Sequence, residues 1–275
     1  MNKSLFIKQI GISALFTMGM IVLWMLLNTF LSGSVWDGMV ISNSALKVEY
    51  CEFNNVADFF HQKLNTYSNL AYFFFGVIVI QIGLNDSKNN NLNLNRLERF
   101  PALSVLYGFC LIYLSFGSAF FHASLTYLGQ RVDMNGTYSI SIVLFGIALY
   151  CVFNKIEFSD QFKKIWIVLL VVIILAFIKI ALLISSTKFL SGIILIQSLL
   201  VLIIYFQNRK EKSLILAISG LVLMIIAVRI RTMDVQKINC DPHSFFQGHS
   251  IWHLLTGLSS FSSYAFFRFS KKINT

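Results

Sequence analysis

Eight stretches, each of roughly 20 residues, run through this chain almost without charge, which is the length an α-helix needs to cross a bilayer. They cover residues 10–31, 66–84, 101–121, 134–153, 165–184, 189–206, 213–228 and 248–267. Lipid offers no partner for backbone N–H and C=O groups, so such runs fold as helices that satisfy their own hydrogen bonds. Seven of the eight hold no Asp, Glu, Lys or Arg. The exception, Lys179, lies close enough to one end of its run to snorkel to the interface. Composition agrees: the chain is 12% charged and 56% hydrophobic, whereas a soluble domain is about a quarter charged. The reading is an all-α membrane protein: a seven-transmembrane-helix bundle with an extra transmembrane helix at the N-terminus.

A net charge of +10 invites a nucleic-acid partner, but the charges lie in short clusters between the apolar runs. That is the pattern of membrane loops, so the expected partner is the lipid bilayer, with no nucleic acid and no protein partner implied. With the N-terminus inside, the inner segments carry twice as many Lys and Arg as the outer ones, a count that includes Lys271 and Lys272. The positive-inside rule then gives a cytoplasmic N-terminus. The first run is longer than the apolar part of a signal peptide, about 7–15 residues, and is read as a retained anchor in residues 1–34. Residues 35–275 form the second unit. The Asn-rich stretch from Lys88 to Asn95 reads as a solvated connector.

All 5 histidines fall on the outer side of this topology. His249 and His253 are four apart at the start of the last span, hence on one helix face. His122 ends the third span, with Ser118 one turn before it, and Asp133 begins the next. Three neutral imidazoles suit zinc and leave a fourth position for water, the arrangement of a catalytic site. The bland alternative is that interfacial histidines hydrogen-bond headgroups or loops. Cys51 and Cys240 share the outer loops, where oxidising conditions allow a disulfide. Cys110 and Cys151 lie within spans and read as apolar packing residues.

Three segments carry a resemblance. They are Cys51-Glu52 followed by Asn65-Thr-Tyr-Ser-Asn69; Gly117-Ser-Ala-Phe-Phe-His-Ala-Ser-Leu-Thr126, continuing to Gln130 and Asp133; and Gln247-Gly-His-Ser-Ile-Trp-His-Leu-Leu-Thr-Gly257. In these the chain resembles the alkaline ceramidase family, seven-helix membrane amidases grouped with adiponectin-receptor-like hydrolases. Cys240-Asp-Pro ahead of the last histidine pair looks like the bacterial branch, which implies an integral protein of the bacterial inner (plasma) membrane. The resemblance implies that His122, His249 and His253 ligate zinc, that Asp133 moves protons and that Ser118 stabilises an oxyanion. The activity implied is hydrolysis of the N-acyl bond of a ceramide-like membrane lipid to a fatty acid and a long-chain amine, with the active site toward the outer face.

The resemblance also implies a calcium site at Glu49, Tyr50, Glu52 and Asn54. Against it, Gln62 stands where relatives place a further glutamate, and a hard cation prefers charged oxygen ligands. The extra first helix departs from the family's seven as well. The competing function is a seven-helix receptor or transporter with a structural zinc site. Transporters bring broken helices or paired acidic residues to mid-membrane, and these spans have none.

Overall fold

The apolar runs become helices, and the helices begin and end where side chains can serve their free backbone groups. A computed structural model describes residues 3–88, 95–210 and 212–269. The interior of the Asn-rich connector, Lys271 and Lys272 lie outside the described residues. Helix α1 spans Lys3–Phe30, and a 3₁₀ turn (Gly33–Trp36) and the short α2 (Asn43–Leu46) follow it. Next come α3 (Lys63–Ser68), α4 (Leu70–Asp86), α5 (Pro101–Ser124), α6 (Tyr127–Val152) and α7 (Asp160–Ile180). The order ends with α8 (Ser186–Gln207), α9 (Leu214–Val235) and α10 (Gly248–Arg268). Among the described residues there is no strand, only two isolated bridges, Ser32 with Asp58 and Ile41 with Thr126.

Six of these helical stretches are long and apolar enough to cross a bilayer: α1, α3 with α4, α5, α6, α8 and α9. Helices α7 and α10 occupy the two remaining expected spans; α10 is the more polar, with Ser250, Ser259, Ser260, Ser262 and Ser263 along it. The chain is thus a membrane protein by its helices. Several helix ends differ from the apolar runs, and two of them bear on the site. Helix α6 starts at Tyr127 rather than near Met134, because Thr126 Oγ1 accepts from Gly129 N at 3.1 Å and caps it. Asp133 therefore lies in the second turn of α6, not at its start. Helix α9 continues to Val235, carrying Arg229, Arg231 and Asp234 into its last turns. Those charges had suggested a loop, but Arg231 and Asp234 have partners at the end of the bundle, Glu49 for the one and the Cys51 and His249 N–H groups for the other.

Helices α4 and α5 cross at Gly76 and Gly108. A Cβ on either glycine would lie 2.8 Å from the other's carbonyl oxygen, so only glycine allows this approach. Helix α5 packs on α6 and α9 on α10, while α1 touches chiefly α4. Gln81 Nε2 donates to Ser13 Oγ at 2.9 Å, and Trp24 meets Phe60 and Tyr67 edge-on. The rest of α1 is largely exposed, as suits a helix bathed in lipid. Between the helices lie fully buried tyrosines: Tyr264 donates to Ser104 Oγ at 3.0 Å and Tyr107 to the Ser260 carbonyl at 3.1 Å. At the end of the bundle holding the first residues of α1, Arg268 is clamped between Asp86 (2.5 Å) and Glu98 (2.7 Å). The polar cluster of interest sits at the opposite end.

Candidate metal centre

Helix α5 stops one turn after His122. Leu125 takes a left-handed conformation (φ 52°), and Thr126 at once caps α6. This tight turn brings the end of α5 alongside the second turn of α6, so Ser118 and Asp133 meet: the Ser118 hydroxyl hydrogen-bonds the Asp133 carboxylate. Helix α10 supplies the other two histidines. Its first turn has no side-chain cap of its own. Asp234 of α9 acts instead, with Oδ1 accepting from His249 N at 3.2 Å and Oδ2 from Cys51 N at 3.1 Å. Gly248 makes room for it, since a Cβ there would lie 2.9 Å from the Asp234 Cβ.

His122, His249 and His253 converge. One nitrogen of each lies within 4.8 Å of the others, and the three residues are 0%, 4% and 3% exposed. His122 Nε2 and His249 Nε2 are 3.2 Å apart. Two ligands on a tetrahedral zinc, each at about 2.0–2.1 Å, stand about 3.3 Å from one another. The donor chemistry and this separation fit zinc, so the buried triad can hold a metal ion.

The far sides of the rings are fixed by different means. His122 Nδ1 donates to Gln62 Oε1 at 2.6 Å. His253 Nδ1 donates to Ser68 Oγ at 2.8 Å, and Ser68 passes its own proton to the Asn65 carbonyl at 3.0 Å. Among the described residues His249 Nδ1 has no hydrogen-bond partner; its ring is held by stacking on Tyr50, centroids 3.9 Å apart. Asp133, half-buried, lies beside Ser118, which stands one helical turn before His122. Its charge acts on Tyr50 and Tyr72, whose rings lie against His249 and His253, and it feels Arg231 of α9. His61 and His243 stay outside the group: the His61 backbone N–H donates to the Ala123 carbonyl at 3.1 Å, and His243 packs on Phe53.

The residues that the resemblance assigns to calcium do not form a cage. Both Glu52 oxygens accept backbone N–H groups at the start of α3, from Leu64 at 2.6 Å and Asn65 at 2.8 Å. Asn54 Oδ1 accepts from Gln62 Nε2 at 2.7 Å. Glu49 accepts from Ser44 and pairs with Arg231 at 3.3 Å, and the Tyr50 carbonyl accepts the Lys237 ammonium. Every candidate oxygen already has a protein donor, two of them cations (Arg231 and Lys237), so the set as it stands is a hydrogen-bonded strut. Burial pushes the Glu52 carboxyl up to about 7 even against those two N–H groups, and burial also raises the Tyr50 phenol.

Cys51 and Cys240 are joined by a disulfide, Cα atoms 5.7 Å apart, tying the strut to the loop before α10. Cys110 and Cys151 are buried free thiols. Sequence reasoning named the three histidines, Ser118 and Asp133, but not Ser68, Arg231 or Asp234, and it noted Gln62 only as a missing carboxylate. Ser68 lies within a segment quoted for the resemblance; nothing local marks Arg231 or Asp234. Comparison with curated proteins and with solved structures finds no match. The family model described as Ceramidase matches residues 42–274, most of the chain and all of the site. That model implies a hydrolase acting on the amide bond of a lipid, and the chain belongs to the Ceramidase family.

Proposed function

We propose that this chain is a zinc-dependent membrane amidase that cleaves the N-acyl bond of a ceramide-like lipid, releasing a fatty acid and a long-chain amine. The observation that carries the reading is the convergence of three buried imidazoles at one end of a bundle of apolar helices, with Ser118 one turn before His122 and Asp133 bonded to Ser118. His122, His249 and His253 hold the ion. Zinc bound there supplies a Lewis acid that makes water nucleophilic near neutral pH.

The protein's own groups then divide the proton work. Hydrolysis adds the oxygen of water to the carbonyl carbon, breaks the C–N bond and needs a proton on the leaving nitrogen. Asp133 takes the proton from water and returns it to that nitrogen. Ser118 has one hydroxyl proton, which points at Asp133 while the carboxylate is charged. Once Asp133 is protonated, the Ser118 hydroxyl is free to turn to the oxygen developing negative charge. Arg231, held by Glu49 at 3.3 Å, adds a positive field beside Asp133.

Placing the centre at the outer face, with the N-terminus cytoplasmic and α1 as an anchor ahead of the catalytic unit, follows from the positive-inside count and from the disulfide beside the centre. The test is hydrolysis of a labelled N-acyl sphingoid lipid by purified protein, with and without chelator, beside its zinc content. Activity and zinc should fall together in His249→Ala. Zinc-loaded parent protein inert on N-acyl lipids defeats the amidase reading.

A further inference from the structure

We propose that Gln62 is a positioning residue of the metal centre: its carboxamide holds His122 with Nε2 turned to the ion, and it replaces a second cation in fastening the 49–54 segment to that histidine. The proposal rests on reading the three histidines as metal ligands.

Gln62 is 2% exposed and its amide is used at both ends. Oε1 accepts from His122 Nδ1 at 2.6 Å and from Asn65 Nδ2 at 3.2 Å, while Nε2 donates to Asn54 Oδ1 at 2.7 Å. An acceptor fixed on Nδ1 leaves the Nε2 lone pair for metal, and partners of this kind set ligand orientation. The second half of the proposal follows from what a carboxylate cannot do. A glutamate at this position, as the resemblance gives its relatives, could still accept from His122 but would face Asn54 Oδ1 with another acceptor. Two buried acceptors in contact repel unless a cation lies between them. The amide removes that need by donating. The neighbouring oxygens follow suit, since Glu52 caps α3 and the Tyr50 carbonyl takes the Lys237 ammonium.

The experiment uses the full chain in detergent micelles. Gln62→Met keeps the length of the side chain and removes all three hydrogen bonds. Its zinc affinity, measured against a competing chelator, should fall by about 10–100-fold, the usual cost of losing such a partner. The visible spectrum of the cobalt-loaded protein should change with it, which loss of packing alone would not produce. Retention within about threefold of the parent, far less than that expected loss, with an unchanged cobalt spectrum, overturns the positioning role. Gln62→Glu should keep zinc and acquire a calcium-dependent rise in Tm, whereas the parent shows none. A parent Tm that calcium raises, or a Gln62→Glu protein that calcium leaves unmoved, overturns the replacement of the cation, and neither result depends on the Met variant folding. His122→Ala is the control: parent-like zinc affinity there defeats the metal-centre reading itself, whatever Gln62 does.

Discussion

An aspartate near the start of a helix can serve as its cap or carry protons, and in α6 the capping is done by Thr126. A carboxylate inside α6, bonded to Ser118, has no capping work to do. Asp133→Asn keeps the shape and removes the proton acceptor, so turnover should drop by about 10²–10⁴-fold while zinc content stays near the parent's. Activity within about threefold of the parent, well short of that loss, would remove Asp133 from the chemistry. Glu52 supports a pH prediction of unusual sign. Its folded value of about 7 lies above the ordinary 4.5, chiefly because burial disfavours the charge. The folded state therefore binds this proton more tightly than the unfolded one. The contribution is fully present below about 4.5 and is lost as pH rises through about 7. It amounts to a few kcal/mol at most, at about 1.4 kcal/mol per pH unit. Tm of the parent should decline across that window, and Glu52→Gln should flatten the curve; parallel curves for the two proteins would show that Glu52 does not titrate there.

At the scale of elements, apolarity alone located the eight long helices, because lipid leaves the backbone no other choice. It failed at the ends of α6 and α9, where the reading stopped a helix at its first charge. Arg231 and Asp234 are helical because tertiary partners receive them: Glu49 for the one, Cys51 N and His249 N for the other. Such pairings join residues far apart in sequence and leave no local trace. The site divided along the same line. The histidines, Ser118 and Asp133 were legible because spacing and motif mark them. Ser68 and the amide role of Gln62 were not, since each depends on where another element stops. Gly248 tests the coupling of α9 to α10. Gly248→Ala puts a methyl group 2.9 Å from the Asp234 Cβ and should displace the carboxylate from His249 N. Loss of a cap costs about 0.5–2 kcal/mol, and because the first turn of α10 carries His249, zinc retention should weaken too. A variant with parent Tm and parent zinc affinity would mean that Asp234 does not position that turn.

Across the whole molecule the two ends of the bundle differ in kind. One carries the histidines, the disulfide and the strut from Glu49 to Gln62; the other carries the buried Arg268 network and clustered Lys and Arg. Two independent arguments support the proposal that the first end faces outside. Positive charge is retained on the cytoplasmic side, and a disulfide persists in an oxidising compartment. The prediction uses single cysteines introduced in loops at either end. Val40→Cys lies exposed in the segment joining α1 to α3, and Lys155→Cys lies exposed between α6 and α7. Background labelling should be low, because Cys110 and Cys151 are buried and the other two cysteines are bridged. On intact cells a membrane-impermeant maleimide should label Val40→Cys at once and Lys155→Cys only after permeabilisation. The reverse pattern would place the histidines in the cytoplasm, where glutathione works against the Cys51–Cys240 bridge. The fastening of the strut would then fall to the hydrogen bonds of Glu52, Asn54 and Gln62 alone, and the lipid substrate would have to come from the inner leaflet.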